Sequence, residues 1–241
     1  MNKTVLFLLG ISFVISIWSC VGAVQQSSQV PQAQTLSPGT EIVVGFYNVE
    51  NLFDTQDNPQ KKDNDFLPQG KYEWTPEKYQ VKLDNLGKAI ESMEGGPTIL
   101  GIAEVENRKV LEDLTKTSIL QNMGYRVVHD ESPDARGIDV GLIYKSSAFQ
   151  LLGYEAYEVT LPGNPDFATR EILKVSGKIN EIPVFILVNH WPSRRDGAKE
   201  TEFKRLKAAE TVLAKIDALD EEVFNCIVMG DFNDNPTAKS I

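Results

Sequence analysis

Residues 227–236 read Ile-Val-Met-Gly-Asp-Phe-Asn-Asp-Asn-Pro. Ile227, Val228 and Met229 have the character of a buried strand, and Gly230 punctuates it. Asp231 and Asn233 then stand where strand gives way to loop. Taken alone this is an Asx-rich turn. Three other places in the chain repeat the arrangement. Asn48 follows Ile-Val-Val-Gly-Phe-Tyr at 42–47. Glu104 follows Ile99-Leu100-Gly101-Ile102-Ala103, and His190 follows Val184-Phe185-Ile186-Leu187-Val188-Asn189. A hydrogen-bonding or ionisable group at the end of a buried strand can be delivered to a cleft shared with neighbouring strands.

The segments between these points set the fold class. Thr75-Pro76 is a helix start, with Thr as cap and Pro in the first turn. Tyr79, Leu83, Leu86, Ile90 and Met93 follow at helical spacing, and Gly95-Gly96-Pro97 stops the run. The pattern predicts a strand over 98–105 and a helix over 108–123. Strands are expected over 125–129, 138–144, 149–159, 171–179 and 182–189, the last two joined by a tight turn at Asn180-Glu181. Phe203, Leu206, Ala209, Val212, Leu213, Ile216 and Leu219 form one stripe of an amphipathic helix. A final strand is expected over 223–229. Residues 54–74 read as a long polar loop. Its Asp54, Asp57, Asp63 and Asp65 do not match the spacing of a helix-loop-helix calcium loop and are expected to form a solvated acidic surface. This order of elements implies an α/β protein with two packed sheets and helices on the outer faces.

The four interruptions suit one chemistry. Glu104 offers hard oxygen ligands to Mg²⁺ or Mn²⁺, although a salt bridge with Arg108 would also satisfy it. Asp231 can accept a proton from water, and Asn233 can orient that water or hold the metal. A cationic or proton-donating His190 can stabilise charge on phosphorus or protonate a leaving oxygen. Arg136, in Arg-Gly-Ile-Asp at 136–139, is placed either at a phosphate or at a hairpin corner. His129 has no motif around it and reads as structural. Arg194-Arg195 beside Trp191-Pro192-Ser193 favours an anion nearby.

Asn48-Val49-Glu50-Asn51-Leu52, Ala103-Glu104-Val105, Asn189-His190-Trp191-Pro192-Ser193 and Gly230-Asp231-Phe232-Asn233 together resemble the endonuclease/exonuclease/phosphatase superfamily. The resemblance runs from Glu41 to the end of the chain. It implies a four-layer α/β sandwich and divalent-metal-dependent hydrolysis of a phosphoester. It assigns Asn48 and Glu104 to metal and phosphate, His190 to the phosphate or leaving group, and Asp231 and Asn233 to the attacking water. The substrate is then a nucleic acid or a small phosphorylated molecule.

Two departures qualify that reading. DNA-cleaving relatives often carry a basic residue two positions after the metal-binding glutamate, and here Glu106 occupies that position. The formal net charge is −10 without a long basic run, which lacks the cationic footprint of loose nucleic-acid binding. Both favour small phosphoesters over duplex DNA. The resemblance also implies a C-terminal Ser-Asp-His-type motif and further strands. This chain contains only His129 and His190, so the domain is expected to be incomplete, with weak or no activity. The competing reading is a non-catalytic, lipid-tethered binding domain of the same fold.

Residues 1–20 read as a targeting segment. Lys3 precedes an apolar run over 5–19 that is too short for a comfortable membrane span. Ile17-Trp18-Ser19-Cys20 resembles a bacterial lipoprotein signal, which implies lipid modification of Cys20, although Trp18 departs from the usual small residue. Residues 21–40, rich in Gln, Ser and Pro, read as a flexible tether. The expected protein is an exported, lipid-anchored monomer of the cell envelope whose single domain spans 41–241. Cys226 is expected to be a small buried core residue.

Overall fold

The computed structural model describes residues 41–218 and 225–241. The expected signal segment with Cys20, the tether, and Leu219 and Val223 lie outside the described residues. Among the described residues no helix is long and apolar enough to cross a membrane.

Among the described residues, eight strands and three α-helices build a four-layer sandwich. The order is β1 (Val44–Leu52), α1 (Pro76–Ser92), β2 (Ile99–Val105), α2 (Arg108–Thr115), β3 (Tyr125–His129), β4 (Asp139–Lys145), β5 (Gln150–Tyr157), β6 (Ile172–Ile179), β7 (Ile182–His190), α3 (Glu202–Asp217) and β8 (Cys226–Asp231). One sheet has the order β1-β2-β4-β3 and the other β5-β6-β7-β8. β1 runs parallel to β2, and β7 parallel to β8. Each parallel pair therefore brings two strand ends to one end of the sandwich.

The period of two along each strand sorts side chains between layers. Ile99, Ala103, Val140, Leu142, Val175, Val184, Ile186, Val188 and Met229 form the core between the sheets. Leu100, Ile102 and Ile143 face outward onto Leu83, Leu86 and Ile90 of α1 and Val110, Leu111 and Leu114 of α2. Ile172, Leu187 and Trp191 meet Ala208 and Val212 of α3 on the other side. This confirms the sandwich expected from the sequence.

Local chemistry explains several boundaries. Thr75 caps α1 by accepting a hydrogen bond from Lys78 N, with Pro76 at the first helical position. Asn180 and Glu181 both have positive φ (49° and 66°), as the tight β6–β7 hairpin requires. α2 ends at Thr115 rather than continuing to 123. Thr115 and Thr117 turn their hydroxyls back onto the carbonyls of Glu112 and Leu114, offering the backbone an alternative to the helix.

The other differences concern charge. The loop after β1 is not a simple solvated acidic surface, because Asp54 and Asp63 are buried. Asp54 Oδ1 accepts from Gln56 N, and Asp63 Oδ2 accepts from Asn58 N. Each carboxylate holds its own turn together. The buried face of α3 carries Arg205, Ala208 and Val212, whereas Phe203 and Leu213 of the expected stripe are 54% and 59% exposed. Arg205 is only 1% exposed and takes a core position. It can do so because its three nitrogens are satisfied by Asp234 Oδ2 (2.8 Å), Thr201 Oγ1 (2.7 Å) and the Ala198 carbonyl (2.7 Å). Cys226 is half-buried at the edge of the α3 layer rather than in a core.

Candidate active site

Three of the four polar strand ends continue the inward-facing rows of the sandwich. Asn48 follows Phe46, His190 follows Val184, Ile186 and Val188, and Asp231 follows Ile227 and Met229, each two residues along. The apolar core thus ends in polar side chains.

Glu104 arrives differently. Strict alternation after Ala103 would turn it outward under the helices. Instead its backbone has φ 65°, and β2 slips register against both neighbours there. Val105 then takes the outward position and joins the helix-side core. The irregularity frees the Glu104 side chain for the cleft at some conformational cost, which is typical of functional positions.

Asn48 joins the two sheets. Its Nδ2 donates to Glu104 Oε1 at 3.2 Å and to Asp231 Oδ2 at 3.0 Å. Its Oδ1 is occupied by Glu50 N at 2.9 Å. Asn48 thus positions both carboxylates, and since its Oδ1 keeps a second lone pair, Glu104, Asp231 and Asn48 all offer oxygens to a cation. Asp231 Oδ1 accepts from Asn233 N at 3.0 Å, and Asn233 Nδ2 donates to the Trp191 carbonyl at 2.9 Å. Gly230 is required by close approach, since a Cβ there would lie 2.3 Å from the Asn189 carbonyl oxygen. Trp191 stacks edge-on against Phe232, fixing the loop from the apolar side. Hard oxygen donors at the mouth of a buried cleft fit Mg²⁺ or Mn²⁺.

Cationic side chains share the cleft with these carboxylates. A cleft of about 320 Å³ is lined by Glu104, Asp134, His190, Asp231 and Asn233 together with Arg136, Arg170, Ser193 and Arg195. Arg136 therefore belongs to the site. Arg170 was not singled out by the sequence reading. It is buried and donates to Asp134 Oδ2 at 3.2 Å and to the Trp191 carbonyl at 2.6 Å, while its Nε has no partner. Asp134 also accepts from the Arg136 backbone N–H at 2.9 Å and stands 3.6 Å from the Arg136 guanidinium Nε. One carboxylate thus aligns two guanidinium groups.

His190 is 5% exposed, with Nε2 3.8 Å from Glu104 Oε1 and Nδ1 without a partner. Burial, followed by the charges of Arg170 and Arg136, pushes its pKa down to about 2. The imidazole is therefore neutral at physiological pH. Of the two roles expected of His190, cationic or proton-donating, this disfavours the cationic one and leaves the positive charge to the arginines. Arg108 does not neutralise Glu104 either, because it pairs with Glu112 at 3.1 Å. Glu106 faces away from the cleft and accepts from Asp54 N at 2.7 Å. Burial and the nearby charges of Asp54, Asp63 and Glu131 raise its pKa to about 8.

A second group of potential ligands lies at the ends of β3 and β4. His129, Glu131 and Asp139 bring one ligand atom each within 4.8 Å of one another and could hold a metal ion. His129, expected to be structural, hydrogen-bonds Asp139 Oδ2 at 3.2 Å.

Comparison with protein families matches residues 43–241 to the model of the Endonuclease/Exonuclease/phosphatase family. The chain belongs to this family. The family's sandwich is also found among solved structures. The mannosyl-6-phosphatase of Bacteroides thetaiotaomicron shares 17% identity at TM-score 0.56, over 83% of this chain and 68% of that one. Humanized D. rerio TDP2 shares 17% identity at TM-score 0.52, over 80% and 63%. The catalytic domain of human Nocturnin, with bound sulfate, shares 20% at TM-score 0.51, over 66% and 60%. This chain spans about three-fifths of the length of the latter two. These likenesses establish a shared fold. Comparison with curated proteins finds no match to the sequence.

Proposed function

We propose that this protein hydrolyses phosphoester bonds using a divalent cation, Mg²⁺ or Mn²⁺, held at Glu104 beside Asn48 and facing Asp231. The observation that carries the reading is the Asn48 amide, which gathers Glu104 and Asp231 from two different sheets at a cleft that Arg136, Arg170 and Arg195 also line. When bound, such a cation supplies Lewis-acid charge and lowers the pKa of water. Asp231, oriented by Asn48 and by Asn233 N, accepts a proton from the attacking water. Asn233, anchored through Nδ2, keeps its Oδ1 to position that water. Arg136, Arg170, Arg195 and Ser193 bind the phosphoryl oxygens and stabilise the charge that grows on them. Neutral His190 offers a hydrogen bond at the leaving-group side.

Small phosphoesters fit better than duplex DNA. The net charge of −10 opposes a polyanion, and Glu106 supplies no basic group beside the site. The mannosyl-6-phosphatase relative acts on a substrate of that size by its name. The sequence further supports an exported monomer, lipid-anchored at Cys20 through a tether ending near residue 40.

The test is hydrolysis of sugar phosphates, nucleotides and nitrophenyl phosphodiesters by the full chain, with Mg²⁺ or with chelator. Turnover that requires the metal and disappears in Glu104→Gln is expected. Turnover that persists with chelator or in this variant would overturn the assignment.

A further inference from the structure

We infer that His129, Glu131 and Asp139 form a second divalent-cation site, separate from the Glu104 cleft, which closes the base of the loop carrying Asp134 and Arg136. His129 is the last residue of β3 and Asp139 the first of β4, and both strands are antiparallel neighbours in one sheet. Residues 130–138 form the loop between them. Any bond across His129 and Asp139 therefore fixes both ends of the segment that supplies Asp134 and Arg136 to the cleft.

The geometry suits a metal. His129 Nε2 and Asp139 Oδ2 are 3.2 Å apart. Two ligands at right angles, each about 2.1 Å from a cation, stand about 3.0 Å apart. Glu131 places a third ligand atom within 4.8 Å of both. Asp139 is fully buried, and its other oxygen, Oδ1, accepts from Ser132 N at 2.9 Å and from the Ser132 hydroxyl. That is how an outer partner orients a ligating carboxylate. Glu131 is exposed, which leaves the group open to solvent for entry of an ion.

The charge balance points the same way. Two carboxylates share this corner, Glu131 hydrogen-bonded to Asp139, and His129 is the group paired with Asp139. Lys61, the nearby cation, donates instead to the carbonyls of Ser132 (2.7 Å) and Asp134 (3.0 Å). An imidazole with two carboxylates selects Mn²⁺ or Zn²⁺ over Ca²⁺.

The inference rests on the proposed function only in counting sites, because the other cation is assigned to Glu104. The experiment is Mn²⁺ titration of the full chain, followed by calorimetry and by the loss of free Mn²⁺ resonance signal. Two ions should bind the unaltered protein, and one should remain in Glu104→Gln. Glu131→Gln alters an exposed side chain and should weaken one site by at least about tenfold. His129→Gln keeps a hydrogen bond to Asp139 but removes the imidazole, and should weaken the same site. Circular dichroism checks that both variants are folded. A single ion that Glu104→Gln abolishes, or Glu131→Gln and His129→Gln titrating as the unaltered protein does, would overturn the inference, whereas a single ion kept in Glu104→Gln and weakened in Glu131→Gln and His129→Gln would uphold it and count against the proposed catalytic site. Two ions in Glu104→Gln would instead count against the proposed catalytic site and leave the second site standing.

Discussion

Arg205 allows a prediction about how the catalytic loop is held. Its guanidinium is 1% exposed and its Nε meets Asp234 Oδ2 at 2.8 Å, one residue beyond Asn233. Arg205→Met keeps most of the volume and removes the charge. Asp234, whose side chain is 8% exposed, would then keep only Ser240 Oγ at 2.8 Å and Asn235 N at 3.2 Å. Breaking one side of a buried ion pair costs about 3–5 kcal/mol. Ser240 and Asn235 still compensate part of the charge, so a loss near the lower figure, about 3 kcal/mol, is expected.

The pH dependence follows from Asp234. Burial opposes its ionisation, but hydrogen bonds from Arg205, Ser240 and Asn235 N, with the Arg205 charge, outweigh that and hold its pKa below the ordinary 3.8. A carboxyl depressed in the folded state contributes stability above its unfolded pKa. That stability is lost as pH falls through the folded value. The Arg205→Met penalty should therefore be full at pH 7 and shrink below about pH 4. Urea denaturation followed by Trp fluorescence reads it, since Trp191 packs against Phe232 in the same loop. A double-mutant cycle with Asp234→Asn should show the two changes to be strongly non-additive. A loss under about 1 kcal/mol at pH 7, or additive changes, would refute the buried-pair reasoning.

Gly230→Ala would place a methyl 2.3 Å from the Asn189 carbonyl. It should destabilise the protein by about 1–3 kcal/mol in thermal melting and depress turnover by shifting Asp231. Arg170→Met should raise KM for phosphoesters more than it lowers kcat if this guanidinium holds substrate. It should also lower stability, because Asp134 loses its buried partner. Thr75→Ala should cost about 0.5–1 kcal/mol in the same melting assay, since it removes only the cap of an exposed helix end.

How far the sequence revealed this site depended on whether period and motif agreed with the backbone. Asn48, His190 and Asp231 extend inward rows that run with a period of two, so their convergence could be anticipated. Glu104 could be singled out by type, but its aim could not. Alternation places it under the helices, and only the left-handed turn at that residue redirects it. Arg170 sits among Thr169 and Glu171 with no apolar pattern or motif. Its partner Asp134 is 36 residues away and becomes a neighbour only in the folded chain. Arg205 was hidden because a hydrophobic stripe counts arginine as polar. Here the helix face is set by an ion pair to the catalytic loop as well as by apolar residues.

The central claim is that Asp231, held by Asn48 against a cation at Glu104, activates water. Asp231→Asn tests it most directly, because the amide keeps the size of the side chain and cannot accept the proton. The measurement is the Mg²⁺-dependent rate of phosphoester hydrolysis, unaltered protein against variant, with melting temperature as a check on folding. A fall of about 10²–10⁴-fold with the fold intact is predicted. A variant that hydrolyses as fast as the unaltered protein would contradict the account.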